Sequence, residues 1–314
     1  MTSMQPLSPP PRPPRVAPRI VALGGGKGGV GKTFLSANLA AVFAEGGKRV
    51  VAVDTDLEGA NLHTWLGVPR PRVSLADFAT GRETDPAKLA VPTPHAGLRV
   101  IAATGGHLGD PQPNAARRAE LLQGLRRLDC DTVVVDCGAG SHAAVIDYFL
   151  VGDDSLLVVH PEPTSIENAY SFLRAAFYRR MQLAMLSEPV RVRIAECMDQ
   201  RNERGIRSPH DLLREVQGLD SGDAQRFVAA MKELRPLIVV NEVASAEDVK
   251  LGFSIRTVCR RYFGLEAEYV GYVNRDDTVR SSLLEKRPVT ISSPRSDASV
   301  YVRRIAKKLE EARR

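Results

Sequence analysis

The chemistry-bearing residues begin at Gly24-Gly25-Gly26-Lys27-Gly28-Gly29-Val30-Gly31-Lys32-Thr33, between the apolar run Ile20–Leu23 and the helical text Phe34–Phe43. A glycine-rich turn between strand and helix lets consecutive amides curl round a phosphate, and the helix N-terminus adds partial positive charge. Gly26, Lys27, Gly28, Gly29, Val30, Gly31, Lys32 and Thr33 are therefore expected to hold nucleotide phosphates, with Lys32 reaching the β/γ oxygens and the Thr33 hydroxyl ligating Mg²⁺. Only nine lysines occur in the chain, and two fall in this loop. A chance match to Lys-Gly-Gly-x-Gly-Lys-[Ser/Thr] at such a composition is on the order of one in a hundred thousand. Gly24, Gly26 and Gly29 also spell GxGxxG, the dinucleotide fingerprint, but that reading leaves the Lys32-Thr33 pair without a purpose.

Two other apolar runs end in carboxylates. Val50–Val53 leads into Asp54-Thr55-Asp56-Leu57-Glu58-Gly59. Carboxylates two apart on an extended segment share a face and meet at the strand's carboxyl end, where open α/β sheets bind ligands. Thr132–Val135 leads into Asp136-Cys137-Gly138-Ala139-Gly140. There Asp136 is expected to contact Mg²⁺ through water, with glycines that let the next loop respond to a γ-phosphate. Asp54 also has a plainer reading, as a turn or cap residue.

A lysine early in the loop, in Lys27-Gly-Gly-Val-Gly-Lys-Thr33, resembles the deviant Walker A of the MinD/ParA/Mrp class of P-loop ATPases, and nearly all of residues 19–310 fit that class. The resemblance implies an ATP-dependent homodimer in which Lys27 reaches the partner's phosphates in trans. It implies that Asp56 positions or activates the attacking water and that Asp54 supports the Mg²⁺ shell or the switch conformation. Asn241 stands where the class puts an adenine-reading Asn, whose amide can both donate and accept. In Gly271–Asp276, Asn274 replaces an expected proline. The segments Pro161–Tyr170, Val258–Tyr272 and Asp276–Pro294 resemble the FlhG (FleN/YlxH) branch, which implies a role in flagellar number and placement or in division positioning. Met1–Arg19 lacks that branch's DQAxxLR motif, so stimulation of a partner GTPase is not implied. Alternatives are a ParA-like partitioning ATPase on nucleoid DNA, and a nucleotide-holding carrier or pseudo-enzyme. Cys130, Cys137, Cys197 and Cys259 have no cluster-ligating spacing, so no iron–sulfur cluster is expected.

The elements that must position these residues are legible as seven apolar runs: the three above with Leu98–Ile101, Ser155–Val159, Leu237–Val240 and Glu268–Tyr272. Continuous rather than alternating hydrophobicity means strands covered on both faces. Helical text between them means crossovers, hence an α/β, doubly wound, mostly parallel sheet flanked by helices. Residues 1–18 read as a disordered Pro/Arg-rich head and 19–314 as a single P-loop domain. Within it we expect a helical, Arg-rich insertion over about 174–235 and a C-terminal amphipathic helix over about 297–312.

Charge is unevenly placed. Of the net +6, residues 1–19 contribute +3 and 303–314 contribute +4, so the rest is almost neutral and a generally basic nucleic-acid coat is excluded. Residues 174–214 carry nine arginines, no lysine and five acids, either an ordinary solvated surface or a docking face for a protein partner or non-specific DNA. Val302, Ile305 and Leu309 share a helical face, available either to the protein's own core or to reversible membrane contact. The expected location is the cytoplasm, with the inner face of the membrane as a peripheral site.

Overall fold

A computed structural model describes residues 17–57, 59–103, 113–198, 209–219 and 221–311. The Pro-rich head through Val16, Glu58, the segment with Arg201, Arg204 and Arg207, and the Cys197 side chain lie outside the described residues.

Each of the seven apolar runs is a strand. The first half of the chain forms β1 (Arg19–Gly24), α1 (Lys32–Glu45), β2 (Val50–Asp54), α2 (Leu62–Trp65), α3 (Leu75–Thr80), β3 (Val91–Pro92), β4 (Leu98–Ile101), α4 (Ala115–Leu125), β5 (Thr132–Asp136) and α5 (Ala143–Leu150). The second half forms β6 (Asp154–Val159), α6 (Pro163–Leu183), α7 (Glu188–Met198), α8 (Pro209–Leu219), α9 (Ser221–Glu233), β7 (Pro236–Val243), α10 (Ala246–Val258), β8 (Glu268–Asn274), α11 (Thr278–Leu284), α12 (Val289–Ser292) and α13 (Asp297–Glu311). A π turn, Cys259–Phe263, continues α10.

The sheet order is β3-β4-β2-β5-β1-β6-β7-β8, parallel throughout except for β3, which runs antiparallel to β4 at one edge. Two residues, one of them proline, are too few to show periodicity, so β3 is invisible in the sequence. Helices cover both faces. Leu35, Leu39 and Phe43 of α1 share one apolar layer with Val302, Ile305 and Leu309 of α13. Phe149 of α5, Phe172 and Phe177 of α6 and Ile255 of α10 lie in the other. β1 pairs with β5 on one side and β6 on the other, so chain direction across the sheet reverses around β1 and opens a crevice at its carboxyl end.

One expected boundary shifts. The text at residues 174–183 belongs to the long crossover helix α6, and separate helices begin at Glu188. Along this region Arg179 pairs with Asp147, Arg180 with Glu233, Arg191 with Glu188, Arg193 with Glu196 and Glu215, and Arg214 with Asp211. These carboxylates answer much of the described Arg-rich charge within the fold. Of the two readings of the C-terminal helix, the structure supports the one in which it packs on its own domain. Val302, Ile305, Ala306 and Leu309 of α13 are all buried, so the face that lipid would need is inside the protein. Arg19 donates to the Leu309 carbonyl at 2.7 Å and Lys308 to the Tyr269 carbonyl at 2.7 Å, fastening this helix to β1 and β8.

Candidate active site

The loop after β1 crowds against its surroundings at two glycines. A Cβ on Gly26 would lie 2.1 Å from the Asn168 carbonyl oxygen of α6. Gly31, which precedes α1 with φ +94°, would meet Asn241 Nδ2 at 2.1 Å. Only glycine tolerates both the left-handed backbone and that approach. Asn241 is 3% exposed and donates from Nδ2 to the Val30 carbonyl at 3.1 Å, so its side chain braces the phosphate loop from beneath while lining the cleft.

Three strands deliver the charged groups to one place. Asp136 is the register partner of Leu23 in β1 and of Asp54 in β2, and both carboxylates are buried. Ser36 Oγ donates to Asp136 at 3.1 Å, and the Thr33 hydroxyl also bonds it. Burial pushes the Asp136 carboxyl up to about 6, against the opposing pull of Thr33, Lys32 and Ser36. Burial, with the charge of Asp136, also raises Asp54 well above the usual carboxylate range. Asp54 accepts backbone amides from Asp56 at 3.0 Å and from Asn61 and Leu62 at 3.1 Å each. Of the two roles expected for it, these bonds favour holding the 54–62 loop. Asp56 accepts the Gly59 amide at 2.9 Å, and Thr55 donates through both amide and hydroxyl to the Asp136 carbonyl, joining this loop to β5.

Beside these groups opens a cleft of about 730 Å³. Gly28, Gly29, Gly31, Lys32 and Thr33 form one side, Asp56 and Ala139 a second, and Asn274 to Asp277 with Arg280 a third. Phe34 and Trp65, edge to face at 5.9 Å, add an apolar wall. Lys32 is almost buried and its Nζ donates to the Lys27 carbonyl at 3.2 Å. Lys27 itself turns away from this cleft. Its Nζ lies 2.9 Å from Glu162 and 3.0 Å from the Thr164 hydroxyl, at the start of α6. Asn274 donates to Asp297 at 3.2 Å, which ties the end of β8 to the start of α13.

Sequence reasoning missed Ser36, Glu162, Trp65, Arg275 and Arg280. Ser36 had a usable signal, since it stands one helical turn after Thr33 on the same face. The others depend on loops folding back across the cleft. Among the described residues no group of three or more His, Cys, Asp or Glu forms a self-sufficient metal site. Thr33 with Asp136 instead makes the donor set of a hard divalent cation that completes its shell with phosphate oxygens and water, so these residues fit Mg²⁺. Cys130, Cys137 and Cys259 are buried, and burial pushes Cys130 up to about 11 and Cys259 up to about 12.

Residues 21–289 match the model of the CobQ/CobB/MinD/ParA nucleotide binding domain. The chain is 29% identical over 296 residues to the antiactivator FleN of Pseudomonas aeruginosa, covering 93% of this chain and 86% of that protein. It superposes on the cell division ATPase MinD of Pyrococcus furiosus with a TM-score of 0.64 at 22% identity, covering 94% of this chain and 99% of that one. MinD of Pyrococcus horikoshii, solved with Mg-ADP, gives a TM-score of 0.65 at 20% identity over 94% and 97% of the two chains.

Proposed function

Because the chain belongs to the CobQ/CobB/MinD/ParA nucleotide-binding domain family, we infer that it is an ATP-driven dimerising switch that hydrolyses ATP to ADP and phosphate. The observation that carries this reading is the convergence of three elements beside a glycine-rich loop: the start of α1 brings Lys32 and Thr33 and the end of β2 brings Asp56 to one cleft, and Asp136, at the end of β5, lies buried against Thr33 and Lys32. Likeness to FleN over most of both chains supports spatial regulation, of flagella or of division, as the cellular role.

In this reading the loop amides and Lys32 hold the β/γ-phosphates, and Thr33 and Asp136 hold Mg²⁺. When bound, that ion neutralises charge developing on the phosphoryl oxygens. Asp56, on a loop whose shape Asp54 holds, orients the attacking water, and Gly138 and Ala139 stand beside it to respond to the γ-phosphate. The Lys27 side chain is 38% exposed and directed away from its own cleft, a placement suited to a cation that serves a second copy's phosphates. Asn241 anchors the loop and faces the cleft, where its free amide valences are available to the base. No described helix is long and apolar enough to cross a membrane. The working location is the cytoplasm, with partner proteins engaged by the ATP-bound dimer.

Phosphate release, followed with and without Mg²⁺, tests this reading. Asp56→Ala and Lys27→Ala should each lower turnover by about two orders of magnitude or more, the scale of a lost catalytic group. Asp56→Ala should also accumulate an ATP-bound dimer in size-exclusion chromatography with light scattering. Wild-type turnover by Asp56→Ala would falsify its assignment.

A further inference from the structure

Within α13 Arg303 meets Glu45 at 2.7 Å, Lys308 meets Glu268 at 3.1 Å and Lys307 meets Glu311 at 3.7 Å. With the pairs along α6 to α8, this leaves most of the basic side chains of these two regions paired with neighbouring carboxylates. The second half of α10 and the π turn are different. From Val249 to Phe263 the chain carries Lys250, Arg256, Arg260 and Arg261 and no acid. Lys250 bonds Glu247 at 2.7 Å, whereas Arg256, Arg260 and Arg261 are exposed and have no carboxylate partner among the described residues. Arg256 lies 5.4 Å from the centre of the Phe253 ring and Arg261 5.8 Å from that of Tyr262. Phe253 and Tyr262 are 49% and 54% exposed, so ring and guanidinium are presented together. Stacking restrains a guanidinium while leaving its N–H groups free to face a carboxylate, which lowers the entropy lost on binding.

The two helices that enclose an apolar groove, α8 and α9, adjoin the π turn. The π turn packs on α8, and at its end a Cβ on Gly264 would meet Met231 Cε of α9 at 2.9 Å. Between α8 and α9 the groove has a volume of about 580 Å³ and is lined by Ala224, Val228 and Ala229 with Gln217, Gln225 and Lys232. We propose that this groove and the arginine face of α10 and the π turn dock an acidic amphipathic helix of a partner protein. Its apolar side chains lie between α8 and α9, and its carboxylates meet Arg256, Arg260 and Arg261. A helix supplies both surfaces at once, on adjoining stripes. A phosphate backbone offers no aliphatic side chain to the groove, and a bilayer plane does not follow a concave floor. The proposal is independent of ATP hydrolysis, since none of these residues lines the nucleotide cleft.

The test is fluorescence anisotropy on the full chain. Its probes are a synthetic helix with glutamates on one face and leucines on the other, a scrambled peptide of the same composition, a single-stranded oligonucleotide and phosphatidylglycerol vesicles. The amphipathic peptide should bind and the scramble should not. Combined Arg256→Glu, Arg260→Glu and Arg261→Glu should weaken binding about tenfold or more, as should Val228→Arg alone. Arg191→Glu in α7 should leave it within about twofold. Unchanged unfolding midpoints and ATP turnover establish that the variants fold, and Arg256→Ala with Arg261→Ala provides a milder pair. Equal affinity for the scramble, indifference to the charge reversals, or arginine-dependent binding of oligonucleotide or vesicles in place of the peptide each overturns the proposal.

Discussion

Asp136 lies at the carboxyl end of β5 with almost no access to water, and the hydroxyls of Thr33 and Ser36 and the charge of Lys32 offset only part of the cost of its ionisation. Its carboxyl titrates at about 6 in the fold against an ordinary 3.8. A carboxyl raised on folding favours the folded state while protonated, and that contribution is lost as pH rises from the ordinary value through the raised one. Nucleotide-free protein should therefore lose on the order of 3 kcal/mol of stability from this residue across that window. Asp136→Asn should raise the unfolding midpoint of the nucleotide-free protein at neutral pH and flatten its pH dependence, while removing the extra stabilisation that Mg-ATP confers. Thermal unfolding at acidic and neutral pH, with and without Mg-ATP, measures all three; a lower nucleotide-free midpoint at neutral pH would exclude this account. At this scale the sequence was most informative for Lys32, Thr33 and Asp136, whose types follow from local chemistry. It was least informative for Asn241, because its bond to the Val30 carbonyl joins positions 211 residues apart.

Among the elements, α13 shows how one amphipathic pattern admits two physical outcomes. The same apolar stripe suits lipid or protein, and the choice depends on whether a complementary surface exists elsewhere in the fold. Here β8 and α1 supply it. Gly271, whose absent Cβ would stand 3.0 Å from Ile305, lets the helix settle close to the sheet. Ile305→Ala should cost about 2–4 kcal/mol in urea unfolding, the range for a buried aliphatic truncation. A side chain reserved for a membrane would leave that midpoint unchanged. The strands themselves were readable because they are buried on both faces and so spelled in unbroken aliphatic runs, whereas β3, an edge pair of residues, carries no such run.

Across the whole molecule, α7 and α9 pack on α6, and α8 packs on α7 and α9, so the three extend the apolar layer on that side of the sheet. Val190, Ile194, Leu212, Val216 and Phe227 belong to the same buried cluster as the strands, and the Phe177 and Phe227 rings lie 6.0 Å apart. The region from α6 to α9 should therefore unfold with the sheet. Phe227→Ala is expected to lower stability by about 3–5 kcal/mol and to keep a single calorimetric transition. A separate low-temperature transition would instead mark these helices as an independent unit.

Taken by itself, the sequence determined the parallel α/β sheet, the phosphate loop and the carboxylates that face it, because each depends on short-range patterns: burial on both strand faces, glycine freedom and helix polarity. Tertiary structure decided the partners of each charge. It turned Lys27 toward Glu162, gave Asp54 to the backbone of its own loop, paired most of the described arginines of α6 to α8 and left those of α10 and the π turn without carboxylates. A carboxylate distant in the chain neutralises a cation only when folding brings the two within a few ångströms, and no local pattern encodes that distance.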